Sequence, residues 1–400
     1  MQAFGTRRRF AYLLGGIIAL WNPRIAAALP YVPTDDEAVL ERLPVSPLDT
    51  SARKVRAMRA ELAQQPGNIS LATRAAWLYV EQGRARSDPR YYGYAQAALA
   101  RWWASPEPPV SVLVLRATIR QHNHDFEGAL SDLTRAVQAD PDNTQAWLTR
   151  AVILQVRGEY AEARRSCEQG LQRATPLVAV ICTSGVESLN GEAHESYAML
   201  RRALTETYEA NPGVRLWALT LLAEIAARLG DATAADAHFK QAIALGVPDD
   251  YLLAAYADFL LDQGRANAVI DLLADATRAD ALLLRLALAE KMAAAPGLDE
   301  HVETLRDRFA AAHLRGDTVH RREEALFALH LLKQPAPALR LARENWAVQR
   351  EPSDARVLLE SAIANGEPRA AQPVLDFLAQ TKLEDTQLAA LGERLRATRP

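Results

Sequence analysis

An internal repeat constrains this chain more than any other feature of its sequence. Two copies of one pattern follow each other between Val110 and Leu171, and equivalent positions lie 34 residues apart. The equivalent pairs are Arg116 with Arg150, Ala117 with Ala151, Phe126 with Tyr160, Ala129 with Ala163, and Ala136 with Gly170. A period of this length indicates two amphipathic helices that stack on neighbouring copies, because one such pair cannot bury its apolar face alone.

The pattern resembles the tetratricopeptide repeat, a helix–turn–helix unit of the same period, here closed by Pro141. In the second copy the resemblance places helix A near residues 144–157 and helix B near residues 160–173. Small residues such as Ala151 and Ala163 let the two helices approach closely, and an aromatic residue fills the wedge between them. The resemblance implies an all-α fold, an α–α superhelix of about seven to eight helix pairs with helix A on the concave side.

The composition agrees with an all-α chain and gives no sign of catalysis. Hydrophobic residues make up 49% of the sequence and aromatic residues only 6%, and no stretch alternates with the period of two that marks a half-buried strand. The formal net charge of −3 argues against nucleic acid as a partner. HExxH, paired CxxC, phosphate-loop and nucleophile-elbow motifs are absent from the sequence, so we predict no enzyme, no cofactor and no metal.

The N-terminus predicts a signal peptide over residues 1–28. Arg7, Arg8 and Arg9 precede an apolar run that is too short to cross about 30 Å of hydrocarbon, and a run of alanines from Ala26 offers a cleavage site. The arginines fit twin-arginine export as well as ordinary Sec export. We therefore expect a periplasmic or secreted protein of the exported bacterial type, without an integral membrane span in the mature chain.

Proline and glycine divide the rest of the chain. Residues 29–48 are predicted to form a proline-rich extended leader, which either hangs free or lies along the helices. Residues 49–109 combine an N-terminal helix with an irregular first repeat, whose turn is replaced by an insertion from Arg84 to Tyr94 after a helix that Gly83 ends. Residues 110–279 hold the clearer repeats. Residues 280–400 are predicted to form degenerate repeats and a closing helix with a polar outer face.

The two cysteines lie where a bond between adjacent repeats is geometrically reasonable. Cys167 lies on helix B of the second copy, Cys182 follows 15 residues later on the next helix A, and Pro176 marks the turn between them. An antiparallel hairpin brings them level, so we predict a disulfide, which an exported protein can keep. The alternative is a pair of buried thiols. A Cα separation above about 7 Å would exclude the bond.

Three charged residues are predicted to be structural. Arg116 and Arg150 lie where helix A faces its partner helix, and Asp132 on helix B is placed to pair with either of them. The family resemblance implies such a pairing, and a half-buried arginine needs a partner, so this role is favoured over ligand contact. The stretch from His122 to Asp125 contains the densest set of metal-ligand types, but polar residues are expected in any inter-helix turn.

The resemblance assigns partner binding to the concave side, because particular positions of helix A face it in this family. The residues predicted to contact a partner are Val114, Thr118, Leu148, Val152, Trp217, Glu224, Tyr251 and Asp258. This floor lacks the Lys, Arg and Asn residues with which one subgroup holds C-terminal carboxylates. Being apolar at one end and aromatic and acidic at the other, it suits a peptide or protein segment with apolar anchors and a basic flank. Alternatively, these residues only pack on neighbouring helices.

A second candidate surface, the insertion patch, consists of Arg90, Tyr91, Tyr92, Tyr94, Trp102 and Trp103. Tyr, Trp and Arg carry much of the binding energy at protein interfaces, although the same residues would also suit a packed cover for the first repeat. The sequence thus predicts a non-catalytic protein–protein scaffold of the bacterial cell envelope. The alternative is a periplasmic solenoid that binds a glycan or small ligand, with sugar rings stacked on the insertion patch.

Overall fold

The computed structural model describes residues 35, 50–86, 88–170, 174–207, 210–317 and 319–397. The predicted signal peptide and the proline-rich leader lie outside these residues, apart from Asp35. Within the described residues every regular element is helical, which confirms the all-α prediction. No helix in this part of the chain is both long enough and apolar enough to span a membrane.

The described residues form nine helix pairs, numbered here in chain order, between an initial and a final helix. The initial helix is α1 (Thr50–Gln64). Pair 1 consists of α2 (Ile69–Arg86) with α3 (Arg90–Ala98) and the short α4 (Ala100–Trp103), and pair 2 of α5 (Val110–His122) with α6 (Phe126–Ala139). Pair 3 consists of α7 (Thr144–Val156) with α8 (Tyr160–Gly170), and pair 4 of α9 (Pro176–Glu187) with α10 (Ala193–Glu206). Pair 5 consists of α11 (Pro212–Arg228) with α12 (Ala232–Ala244), and pair 6 of α13 (Asp250–Asp262) with α14 (Ala266–Leu273). Pair 7 consists of α15 (Asp280–Ala293) with α16 (Leu298–Leu314), and pair 8 of α17 (Arg321–Leu326) with α18 (Pro335–Trp346). Pair 9 consists of α19 (Pro352–Ala364) with α20 (Gln372–Thr381), and the final helix is α21 (Thr386–Ala397).

The two helices of each pair pack on each other, and most pairs pack on the next, as in a solenoid. Nine pairs are slightly more than the predicted seven to eight, and the irregular first repeat and the degenerate segments after residue 280 fold as pairs, as predicted. Phe126, Tyr160 and Phe239 are at most 5% exposed and fill the wedges between helices. These aromatic positions therefore form the repeated core that the sequence period predicts.

Side-chain caps and left-handed turns set the helix boundaries. Asp125, Asn143, Asp231 and Asp249 each accept a backbone N–H from the first turn of the following helix, over 2.8 to 3.1 Å, which satisfies donors that a helix start leaves free. The turns between helices A and B of pairs 2 to 6 contain residues with φ between +57° and +84°: His124, Gly158, Gly191, Gly230 and Gly264. We call this row of turns the turn edge.

The cysteines form the predicted disulfide. The Cα atoms of Cys167 on α8 and Cys182 on α9 lie 5.8 Å apart, and their sulfur atoms are bonded. The bond therefore joins helix B of pair 3 to helix A of pair 4, as the antiparallel hairpin predicts.

The predicted insertion is not a loop, and this part of the prediction is wrong. α2 continues through Gly83 to Arg86, and α3 already begins at Arg90. Gly83 lies within α2, where a Cβ atom would come within 2.8 Å of the ring of Tyr92. The glycine therefore makes room for the packing of Tyr92 and does not end the helix. Asp88 accepts the backbone N–H of Arg90 over 3.1 Å, just before the N-cap residue Pro89 of α3.

The C-terminal helices do not simply extend the stack; they lie against the turn edge. Residues from Gln349 to Gln387, here called the C-terminal segment, contact the turns of pairs 2 to 6. One example is the backbone N–H of Arg350, which donates to the carbonyl oxygen of Val156 over 2.8 Å. The repeat pattern gave no indication of this fold-back, and it decides which groove residues remain accessible.

Candidate partner-binding groove

The A helices of pairs 3 to 6 form one continuous inner face. Gly185 on α9 lies between Gln155 of α7 and Leu221 of α11, since a Cβ at Gly185 would lie 3.2 Å from the amide oxygen of Gln155 and 3.7 Å from Leu221. On the next boundary, the hydroxyl of Tyr251 on α13 donates to the carboxylate of Glu224 on α11 over 2.5 Å. These contacts place the predicted groove residues of α7, α11 and α13 along a common surface.

Val114 and Thr118 are not part of an accessible groove, and the prediction is wrong for both. Their exposed fractions are 4% and 3%, and the Thr118 hydroxyl donates to the Val114 carbonyl over 2.9 Å. Val348, which immediately precedes the C-terminal segment, packs against the cluster that contains Val114. Val348 is far from Val114 in the sequence, so helix position alone could not reveal this contact.

Leu148 and Val152 on α7 form a half-buried floor. Leu148 packs against the cluster that contains the disulfide-bonded Cys167 and Cys182. Both side chains keep some contact with solvent, so this part of the groove offers a partner a limited apolar surface.

The aromatic end of the groove is the most accessible part of it. Trp217 is 37% exposed and Tyr251 is 59% exposed, on adjacent A helices. Burial raises the pKa of Glu224, and the charge of Glu224 raises the pKa of Tyr251 well above its ordinary value. The phenol therefore stays protonated at neutral pH, and its hydrogen bond to Glu224 fixes the hydroxyl end while the ring stays in contact with solvent.

The acidic end of the groove is already neutralised by arginines of the same chain. Asp258 accepts a hydrogen bond from Arg285 over 2.6 Å. Asp262 binds Arg356 through both carboxylate oxygens, over 2.7 and 2.8 Å. A basic flank of a partner, as expected from the sequence, therefore has to compete with these intramolecular pairs.

Sequence reasoning missed the arginines that occupy the groove. Arg285, Arg322 and Arg356 belong to pairs 7 to 9, and Arg322 lies 3.1 Å from Glu351 and 3.4 Å from the fully buried Asp354. Arginine in degenerate helices resembles any solvated surface residue. Arg285 and Arg322 find their carboxylates on adjacent helix pairs, whereas Arg356 reaches Asp262 only through the fold-back.

The insertion patch is divided by the structure. Tyr92 is 8% exposed and stacks on His122 with ring centroids 3.5 Å apart. Trp102 and Trp103 are partly buried and pack against the hydrophobic cluster that α2, α3 and α5 share. Arg90 forms two side-chain hydrogen bonds to Asp88, over 2.8 and 2.7 Å.

Tyr94 is the one exposed aromatic residue of the insertion patch. Tyr94 is 47% exposed, and its ring lies 5.8 Å from that of the half-buried Tyr91 and 5.7 Å from that of Tyr79. The patch is therefore mainly a cover for the first repeat, with one exposed aromatic residue.

The arginines predicted to be structural have different partners. Arg116 forms two hydrogen bonds to Asp132, over 2.7 and 2.6 Å, and both residues are buried. Arg120 also donates to Asp132, over 2.8 Å. Arg150 instead lies 3.7 Å from Glu162 and donates to the hydroxyl of Ser166. Asp132 thus fastens α5 to α6 within pair 2 and makes no contact with Arg150.

The histidines of the α5–α6 turn are enclosed by the C-terminal half of the chain. The Nδ1 atom of His124 lies 3.4 Å from the amide nitrogen of Gln349. Burial, the charge of His124 and that of His320 lower the pKa of His122 to about 4. Burial also lowers the pKa of His124 to about 4, against the opposite effect of Glu323. The described residues contain no group of three or more side chains suited to hold a metal ion.

Acidification is expected to destabilise the fold between pH 6.5 and pH 4. His122 and His124 bind protons more readily when unfolded, with an ordinary pKa of 6.5, than when folded, with a pKa of about 4. The stability they contribute is therefore present at neutral pH and is lost as the pH falls through this window, roughly 1–2 kcal/mol for each histidine at pH 5. Urea unfolding at pH 7 and pH 5 measures the loss.

The matched variants test the source of this pH dependence. A chain with His122→Gln and His124→Asn should lose less stability on acidification, and asparagine tolerates the left-handed backbone at position 124. A chain with His194→Gln, at an exposed position, should retain the full pH dependence. Equal slopes in all three proteins would exclude these two histidines as its cause.

Known proteins were compared with this chain by sequence and by structure, and the family model that matches agrees with the repeat pattern. A family model described as tetratricopeptide repeat matches residues 122–176, and no curated protein matches the chain. A tetratricopeptide repeat protein from Parabacteroides merdae is 16% identical, with 64% of this chain and 91% of that chain covered and a TM-score of 0.41. The human IFIT1 dimer with m7Gppp-AAAA is 13% identical, covering 87% of this chain and 86% of that chain, with a TM-score of 0.46. Yeast Tom70 is 10% identical, covering 87% and 85%, with a TM-score of 0.38.

Proposed function

We propose that the chain is a non-catalytic adaptor of the tetratricopeptide repeat type, because a family model of that repeat matches residues 122–176 and such repeats generally serve as interaction scaffolds. It binds a peptide or protein segment in the groove formed by the A helices of pairs 3 to 6. The observation that carries this proposal is the pair of exposed aromatic residues, Trp217 and Tyr251, on adjacent helices of that groove.

The aromatic end has the properties of a binding hot spot. Tyr and Trp present large apolar faces at a small cost in conformational entropy, and they dominate the energetics of many interfaces. The bond from Tyr251 to Glu224 restrains the ring before a partner arrives, so little ordering remains to be paid for on binding. A segment with apolar or aromatic anchor residues is the partner that fits this surface.

We place this adaptor in the bacterial cell envelope, in the periplasm or outside the cell. Support comes from the arginines and apolar run of residues 1–28 and from the disulfide between Cys167 and Cys182, because disulfides persist mainly in oxidising compartments. Detection of the mature protein in a periplasmic fraction, shortened at the N-terminus, would agree with this location.

Binding of a glycan receives less support than binding of a protein. Sugar stacking needs exposed aromatic faces, and within the insertion patch only Tyr94 presents one. The alternative therefore rests on a single ring, whereas the groove offers exposed aromatic residues on two adjacent A helices and a half-buried apolar floor on α7.

The groove is tested by replacing both aromatic residues. The purified chain, immobilised and exposed to periplasmic extract, is expected to retain a partner that the Trp217→Ala, Tyr251→Ala double variant loses. Truncation of two hot-spot residues should weaken the affinity for the identified partner segment by roughly 10- to 100-fold in a calorimetric titration.

The control replaces an exposed apolar residue outside the groove. Met199 on α10 is 44% exposed, and Met199→Ala should bind the same partner with unchanged affinity. Equal capture by the double variant and the parent would reject the groove, and so would an equal loss in the Met199→Ala control.

A further inference from the structure

The C-terminal segment contacts the turn edge at successive positions along its length. Each contact joins a turn of pairs 2 to 5 or a helix end beside a turn of pairs 3 to 6 to a residue between 349 and 387. The partners are His124 with Gln349, Val156 with Arg350, Gly158 with Phe377, Gly191 with Lys382, Ala193 with Glu384, Gly230 with Thr386, and Asp262 with Arg356 and Gln387. Five consecutive helix pairs thus contact one segment of the same chain.

The fit is close where the turns carry glycine. A Cβ atom at Gly158 would meet the Phe377 ring at 2.8 Å, and one at Gly191 would lie 3.1 Å from the Cβ of Lys382. Gly264, in the equivalent turn of pair 6, has no neighbouring atom within 4 Å of such a Cβ. All three glycines have a left-handed backbone, so the turn alone explains the residue type, and only the first two also make room for the C-terminal segment.

The polar contacts of the segment are few and specific. Arg356 binds both oxygens of Asp262 across 94 residues of sequence, and the side-chain amide of Gln387 donates to one of the same oxygens over 2.9 Å. The backbone N–H of Ala193 donates to the carboxylate of Glu384 over 2.6 Å. The apolar contribution is confined to residues such as Phe377 and Leu383, which pack against the cluster of the disulfide. An interface in which isolated polar bonds accompany a small apolar contact opens more readily than a continuous apolar core.

The segment also lies beside the aromatic end of the groove. Glu351 contributes to the raised pKa of Tyr251, and the carboxylate of Asp385 interacts electrostatically with Arg228. Arg228 lies one helical turn beyond Glu224 on the inner face of α11. Opening of the segment would therefore change the surroundings of the residues that we assign to partner binding.

We propose that residues 349–387 form an intramolecular latch on the turn edge. In this latch Arg356 binds the carboxylate of Asp262, which a basic side chain of a partner would otherwise bind. The role of the latch in partner binding rests on the proposed function, whereas its opening is a property of the chain alone. A partner segment that carries an arginine beside its apolar anchors competes with Arg356, and the latch lifts as that segment binds.

The first test compares two turn glycines in hydrogen exchange. Gly158→Ala and Gly264→Ala both place a side chain at a left-handed position, but only Gly158→Ala also displaces Phe377. We expect the amide of Arg350, which is bonded to Val156, to exchange at least about tenfold faster in Gly158→Ala than in Gly264→Ala. Equal exchange in the two variants would overturn the latch.

A second test leaves the backbone unchanged. Thr381 is 6% exposed, and its carbonyl lies beneath the turn edge at Gly191, so a Thr381→Cys chain should react with a maleimide only when the latch lifts. The native cysteines are disulfide-bonded and do not compete. Adding Arg356→Ala should accelerate labelling several-fold, whereas Arg340→Ala, which breaks an exposed pair with Glu344, should not. Labelling at one rate in all three chains would contradict the proposal.

Competition for Asp262 is tested with a simple basic probe. Hexa-arginine should accelerate maleimide labelling of the Thr381→Cys chain, hexa-glutamate at equal ionic strength should not, and Asp262→Asn should abolish the difference. If hexa-arginine has no effect, Arg356 does not stand in for a partner. These measurements use the chain alone. If the latch opens as expected but the protein captures no partner, the latch proposal stands and the proposed binding groove is rejected.

Discussion

Asp132→Ala is expected to lower the free energy of unfolding by roughly 3–5 kcal/mol, because it leaves a buried guanidinium without its carboxylate. Arg116 is 5% exposed and forms two hydrogen bonds to Asp132, and Arg120 also loses its bond to this carboxylate. Reversible urea unfolding, followed by circular dichroism, measures the change.

Two further proteins separate the lost pair from a general loss of packing. Arg116→Met with Asp132→Leu removes both charges and should be more stable than Asp132→Ala, since no buried charge remains unpaired. Glu206→Ala breaks the exposed pair of Arg202 and Glu206 and should lower the stability far less than Asp132→Ala, because solvent screens an exposed pair. An Asp132→Ala protein as stable as Glu206→Ala would show that Arg116 finds another partner or reaches water.

Reduction of the disulfide is expected to destabilise the protein by on the order of 3 kcal/mol. The bond between Cys167 and Cys182 closes a loop with a sequence separation of 15 residues, and in the chain-entropy model a loop of this size stabilises the folded state by about that amount. Because α8 and α9 belong to different pairs, the loss should appear as easier separation of pairs 3 and 4. Urea unfolding with and without dithiothreitol measures it.

A chain without the two cysteines provides the control for the reductant. Cys167→Ala with Cys182→Ala should show the same stability with and without dithiothreitol, and it should resemble the reduced parent more closely than the oxidised one. A parent protein whose stability does not respond to reduction would show that the bond adds nothing beyond the packing of α8 on α9.

Local features of the fold could be predicted from the sequence because each depends on neighbouring residues. The period between Arg116 and Arg150 predicts stacked helix pairs, and the wedge residues Phe126 and Tyr160 are buried as the period requires. The disulfide followed from an antiparallel hairpin of known length. In each case the residues that determine the structure lie within one or two repeats of each other.

Features that depend on distant contacts could not be predicted. The fit of Phe377 on Gly158 and the bond of Arg356 to Asp262 join parts of the chain with no common sequence pattern. For the same reason the sequence placed Val114 in an open groove, although Val348 packs against its cluster. At Gly83, a glycine that is typical of a helix end instead makes room for Tyr92, which only the packing partner reveals.

The contacts at the turn edge change how the array should unfold. In a simple solenoid each repeat touches only its neighbours, so terminal repeats fray and stability is nearly a sum along one dimension. Here pair 9 and α21 contact the turns of pairs 3 to 6. Loss of the last helices therefore removes contacts that the helix pairs in the middle of the array make with them. Cooperativity in this protein spans repeats that are far apart in sequence, and shortening the chain from its C-terminal end weakens its centre as well.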